Sequence, residues 1–298
     1  MPYFFVSLRK ALRIFRLIDA AVFTAIPVLG IFFAMQLMQI NHIDYLKLVL
    51  YIFAVYLLAM HVFLINDWAD YYHDKNDANK IRHQGLVKGL SSGTLLILAM
   101  ITVLFSLALL LYFSLQAFLT GSALVVLSLL YSTSSFYLHG KAVPVLASLL
   151  HLSGGLLAFI LGYLFYGQYH SGVLLAGLMF GVFLSAGHLF QEIQDAQGDK
   201  ANKIPTIANT LGKRVSAILG LCLFFLGHAF FEYLIYLDFF PCLTIVNWAA
   251  FVLVAFFIGI SVKNDLKLKS IIQLRNRYRV VYALFGIYIL VKIISHIQ

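Results

Sequence analysis

With 298 residues, 62% of them hydrophobic and only 11% charged, and a mean hydropathy of +0.93, this chain holds too little charge to clothe a water-exposed surface. Soluble domains hold roughly a quarter charged residues, so a soluble globular protein is excluded. The net charge of +9 does not point to nucleic acid either, because the bases are spread between apolar runs.

Taken in chain order, Arg9, Lys10, Arg13 and Arg16 precede an apolar run long enough to cross a bilayer. This reads as a membrane helix rather than a cleavable signal. Such runs lie near 17–38, 45–65, 94–113, 115–132, 143–166, 171–191, 215–237, 240–261 and 279–297. The third and fourth are parted only by a short break around Ser114. Threading the chain through about nine spans puts every Lys and Arg on one side except Lys47 and Lys292. The bias toward cytoplasmic bases sets the N-terminus and the loops after the even-numbered helices in the cytoplasm. Cys222 and Cys242 lie in apolar settings and suggest no disulfide framework. The expected fold is an all-α polytopic membrane bundle of about nine helices around a central cavity, one membrane-embedded domain over residues 1–298. The basic run Lys263–Arg279 reads as a cytoplasmic loop beside anionic lipid.

The acids are concentrated in two short segments. The first runs from Asn66 through Asp67, Asp70 and Asp74, and the second holds Glu192, Asp195 and Asp199. Each triad has offsets 0, +3 and +7, so each makes one stripe on a helical face, and each begins where a span reaches the cytoplasmic edge. Carboxylates near a bilayer are costly and tend to be functional. Three on one face repel unless a cation lies among them. Oxygen ligands with Asn66 nearby suit a hard ion, magnesium above all, whereas zinc wants His or Cys. Magnesium keeps positions open for phosphate oxygens, so two facing stripes suit a diphosphate.

These segments resemble the signatures of the UbiA-type intramembrane prenyltransferases, an all-helical family with nine spans. The first family motif, N-D-x-x-D-x-x-x-D, is matched at Asn66, Asp67, Asp70 and Asp74. The second, D-x-x-D-x-x-x-D, is matched at Glu192 conservatively and at Asp195 and Asp199. The stretch from Asp199 through Lys203, Pro205 and Thr206 to Leu211-Gly212 is similar to the D-x-x-x-G-K-x-T-L-A-x-x-L-G tail, and Tyr137 with Lys141 to a Y-x-x-x-K element. Two departures stand out. The Arg-Pro that the family places after the first motif is absent, leaving Arg82 or Lys88 as substitutes. The family glycine of the second region falls on Lys203.

The resemblance implies Mg2+-dependent transfer of a prenyl group from a prenyl diphosphate to an aromatic (quinone-precursor) or lipid acceptor. Asp67, Asp70, Asp74, Asp195 and Asp199, assisted by Asn66 and Glu192, are the expected metal ligands, with Asp67, Asp70, Asp195 and Lys141 catalytic. Lys141, Lys88, Arg82, Tyr137 and Asn66 are expected to bind the diphosphate. A terpene cyclase on the same scaffold and a cation-coupled transporter are the alternatives. His151 and His188 read as packing residues, and Asp19, one turn after Arg16, as its ion-pair partner.

Overall fold

A computed structural model of the chain describes residues 16–71, 91–133, 140–166, 170 and 172–297. Asp74, Arg82, Lys88 and Tyr137 lie outside the described residues. Every long element among them is helical: α1 Leu17–Leu37, α2 Tyr45–Ala69, α3 Ser92–Phe113, α4 Leu115–Ser132, α5 Pro144–Tyr163, α6 Gly172–Ala201, α7 Lys213–Tyr236, α8 Thr244–Lys263 and α9 Leu268–Ile297. All nine are long and apolar enough to cross a membrane. A helical turn, Ile207–Thr210, and a 3-10 turn, Gly140–Ala142, complete the described elements.

Local chemistry explains the breaks. Ser114 is extended (φ −165°, ψ 153°), ends α3, and caps α4 by accepting the Ala117 N–H at 3.0 Å. Ser91 caps α3 the same way through Thr94 N–H at 3.1 Å. Two helices outrun the apolar pattern. Helix α6 continues to Ala201, so all three acids of the second segment ride one helix beyond its hydrophobic part. Helix α9 begins at Leu268, so most of the basic run expected as loop is helical. Hydropathy cannot see either extension, because both are rich in polar residues, with only scattered apolar ones such as Ile193, Ala196, Ile271 and Leu274 buried between the helices.

Helix α5 organises the bundle, packing on α1 and most extensively on α6. Small residues let these backbones approach. A Cβ on Gly162 would meet the Pro27 carbonyl at 1.8 Å, and one on Gly155 would meet the Gly181 Cα at 2.6 Å. Buried polar contacts fix the other neighbours: Tyr51 donates to the Leu161 carbonyl at 2.5 Å and Ser106 to the Ala54 carbonyl at 2.7 Å. The start of α5 and the ends of α2 and α6 are thereby gathered at one end of the bundle.

Candidate active site

That end holds the acidic segments. Asn66 and Asp67 occupy the last turn of α2, and Asp70 is its buried C-cap. Asp67 accepts from Arg16 Nη1 at 3.0 Å, while Arg16 Nε reaches Asp19 at 3.0 Å. The expected Arg16–Asp19 pair is therefore present, and a link to the first acidic segment is added to it. Burial works against the Arg16 charge, but Asp67 and Asp19 outweigh it and hold its pKa above the ordinary value.

Lys141 lies in the Gly140–Ala142 turn just before α5. Its Nζ donates to Asp70 Oδ2 at 3.1 Å and lies 3.8 Å from Asp199 Oδ1. One ammonium thus joins the end of α2 to the end of α6. Burial opposes its charge, yet Asp70 and Asp199 together raise its pKa. Asn66 Nδ2 donates weakly to Asp70 Oδ2 at 3.4 Å, and Ser132 Oγ to Asn66 Oδ1 at 3.5 Å.

On α6, Glu192 turns from this pair. Its Oε2 accepts the Ala208 N–H at 3.3 Å, and its Oε1 lies 3.1 Å from His188 Nε2. His188 stacks on His151 with ring centroids 3.8 Å apart, and the edge of Tyr131 abuts both rings. His151 Nδ1 donates to the Ala147 carbonyl at 2.9 Å, as a packing residue should. His188 does not fit that description: it lines a recess together with Tyr131, Lys141, Glu192, Asp195 and Asp199. Its i, i+4 spacing to Glu192 is the one local signal, while its ring partners Tyr131 and His151 come from α4 and α5.

Of the residues singled out in the sequence, Asp70, Asp199 and Lys141 converge directly, and Asp195 and Glu192 line the same recess. Asn66 and Asp67 adjoin them from α2. Among the described residues, no three acidic, histidine or cysteine side chains form a ready metal cluster. The donors nevertheless suit a cation, since Asp70 and Asp199 already share the Lys141 ammonium within 4 Å.

Comparison with solved structures finds the same fold. A digeranylgeranylglyceryl phosphate synthase structure aligns with a TM-score of 0.70 at 16% identity, covering 97% of this chain and 99% of that one. A UbiA homolog from Archaeoglobus fulgidus, bound to GPP and Mg2+, aligns at 0.66 and 17% identity, covering 96% and 99%. An apo UbiA homolog from Aeropyrum pernix K1 aligns at 0.67 and 16% identity, covering 90% and 97%. No curated protein sequence matches the chain. The profile of the UbiA prenyltransferase family matches residues 25–272, which contain both acidic segments and Lys141. This integral membrane protein, with its acidic helix ends joined through one lysine, belongs to the UbiA prenyltransferase family.

Proposed function

We propose that the protein transfers a prenyl group from a prenyl diphosphate to an aromatic quinone precursor or a lipid within the membrane, with magnesium as cofactor. The observation that carries this reading is the Lys141 ammonium shared between Asp70 at 3.1 Å and Asp199 at 3.8 Å. A cation already lies between the two stripes, where the oxygen donors call for one. Asp67, Asp70, Asp74, Asp195 and Asp199, with Asn66 and Glu192 assisting, would hold the metal. Magnesium, when bound, supplies positive charge to the departing diphosphate. The GPP and Mg2+ bound to the Archaeoglobus fulgidus homolog support the same ligand class here.

The chain's own groups do the rest. The allylic C1–O bond breaks with its electron pair on the diphosphate. Lys141, with Lys88 and Arg82, meets that charge, and Tyr137 donates a hydrogen bond to a phosphate oxygen. An electron-rich acceptor atom bonds to C1 and gives up its proton. Buried packing around Tyr131 and His188 keeps water from the cation. The whole of 1–298 acts as one membrane-embedded domain, with the N-terminus and active-site loops facing the cytoplasm.

The test is mass spectrometry of products from purified protein given donors of several lengths and a panel of acceptors. Acceptor adducts and magnesium-dependent diphosphate release are expected. A prenyl-derived product formed without acceptor would make the protein a cyclase. No diphosphate release with any mixture would overturn the reading and favour a transporter.

A further inference from the structure

We propose that Arg275 is a second diphosphate-binding cation of this site, delivered by the last helix and held ready by two neutral glutamines. The inference rests on the prenyl-diphosphate reading above and adds a residue from an element that the acidic segments do not include.

Arg275 lies on α9, within the basic run that the sequence suggests is only a topological loop. Its Nη1 donates to Gln194 Oε1 at 2.7 Å and its Nη2 to Gln191 Oε1 at 3.3 Å. Its Nε is buried and has no hydrogen-bond partner among the described residues. Gln191 lines the recess with Lys141, Asp195 and Asp199. The guanidinium therefore stands at the rim of the proposed diphosphate site.

The choice of partners is the informative part. Helix α6 carries Glu192, Asp195 and Asp199, and a guanidinium beside it would ordinarily settle on a carboxylate. Arg275 instead docks on the two amides that flank Glu192. Neutral carbonyls orient the fork without cancelling its charge. Lys141 differs: two carboxylates already meet its ammonium. Among the described residues, a buried N–H donor left over, a charge met only by amides and a place beside the recess together describe a group awaiting an anion. Guanidinium geometry matches phosphate oxygens, and two parallel N–H donors give it a specificity that a lysine lacks.

The test uses the full-length protein in detergent and magnesium pyrophosphate as the probe, with binding followed by calorimetry. Arg275→Ala should weaken binding about tenfold or more, the scale of losing a charge-assisted hydrogen-bonding partner. Arg275→Lys should recover only part, since it restores the charge but not the fork. Arg277→Ala removes an exposed positive charge from the same helix as Arg275, one whose guanidinium lies over Phe257 of α8 at 5.2 Å, and it should bind as wild type does. Gln194→Glu keeps Arg275 but gives it a carboxylate, and it should weaken binding as well. That variant decides the matter if Arg275→Ala loses its cooperative thermal unfolding. Equal affinities for the 275 and 277 alanine variants would overturn the proposal, as would an unweakened Gln194→Glu. If the wild type turns over prenyl diphosphate while the 275 variants bind normally, Arg275 alone is refuted. A wild type that binds no magnesium pyrophosphate overturns both this proposal and the transferase reading.

Discussion

Two buried polar clusters occupy opposite ends of the bundle, and they differ in how completely their atoms are satisfied. Near the α7–α8 connection, His228 Nδ1 donates to Asn247 Oδ1 at 2.6 Å, and Tyr282 OH donates to His228 Nε2 at 3.3 Å. Asn247 Nδ2 donates to the His228 carbonyl and to Glu232 Oε2, both at 3.0 Å, while Thr244 Oγ1 donates to Glu232 Oε1 at 2.7 Å. Each donor has an acceptor, and α7, α8 and α9 are clamped together. At the acidic end, both ring nitrogens of His188, Glu192 Oε1, Thr206 Oγ1 and Arg275 Nε are buried without a hydrogen bond of good geometry among the described residues. Unmet buried polar atoms are costly unless something else meets them. The first cluster holds helices together, and the second leaves polar atoms unmet, as the proposed diphosphate site would require.

The sharpest way to break that contrast is to remove charge from the second cluster. Asp70→Asn and Asp199→Asn should each lower turnover by at least about a hundredfold, the scale of losing a principal electrostatic contact to a departing group. Each should still unfold cooperatively near the wild-type temperature, because Lys141 keeps the other carboxylate. Diphosphate release and thermal unfolding measured side by side check this. Near-normal turnover in both variants would remove the two acids from the chemistry.

The far cluster should respond the opposite way. Asn247→Ala strips partners from His228 and Glu232 at once. A loss of about 1–3 kcal/mol in stability is expected, the penalty for buried groups left unpaired, with turnover per folded molecule unchanged. A collapse of turnover at full stability would mean that this cluster is more than a clamp.

Lys141 tests the link itself. Lys141→Ala should slow the reaction about tenfold or more, and Lys141→Arg should recover part of the rate. Lys267→Ala, which also removes one positive charge at this end, should change little. Equal small effects at both positions would reduce Lys141 to a topological base.

How much of the molecule is legible in its sequence depends on whether partners lie along one helix or across several. The offsets of Asp67 and Asp70, and of Glu192, Asp195 and Asp199, are local, so each set can be read from spacing alone as lying at the end of one helix. Ser114 marks its own helix break because capping is local too. The polar ends of α6 and α9 are invisible to hydropathy, which stops both helices about ten residues short. Arg16 is readable as a partner of Asp19 but not of Asp67, 51 positions away. Arg275 with Gln194, and His228 with Asn247, are likewise pairs that only folding brings together. Single polar residues in apolar runs carry no period that names their partners.

The smallest expected effect concerns the backbone that follows the second acidic segment. The family glycine of this region falls on Lys203, and Lys203 has φ +56°, the left-handed region that glycine favours. Its N–H is held by the Lys200 carbonyl at 3.1 Å and the next N–H, of Ile204, by the Asp199 carbonyl at 2.8 Å, so the chain cannot relax without unmaking the end of α6. An L side chain held there costs about 1–2 kcal/mol, partly offset by the extra freedom glycine has when unfolded. Lys203→Gly should therefore stabilise the protein by up to about 1 kcal/mol, read as a small rise in unfolding temperature. Lys203→Ala removes the same charge without relieving the angle and should give no such rise. Equal shifts in the two variants would assign the effect to charge rather than backbone. Gly212, at φ +89° and ψ 155° before α7, is the internal comparison: there the glycine is present in a region essentially closed to other residues, and Gly212→Ala should destabilise by about 1–3 kcal/mol. If Lys203→Gly and Gly212→Ala failed to move in opposite directions, the left-handed turn at Lys203 would not be the strained copy of the family glycine that its angle indicates.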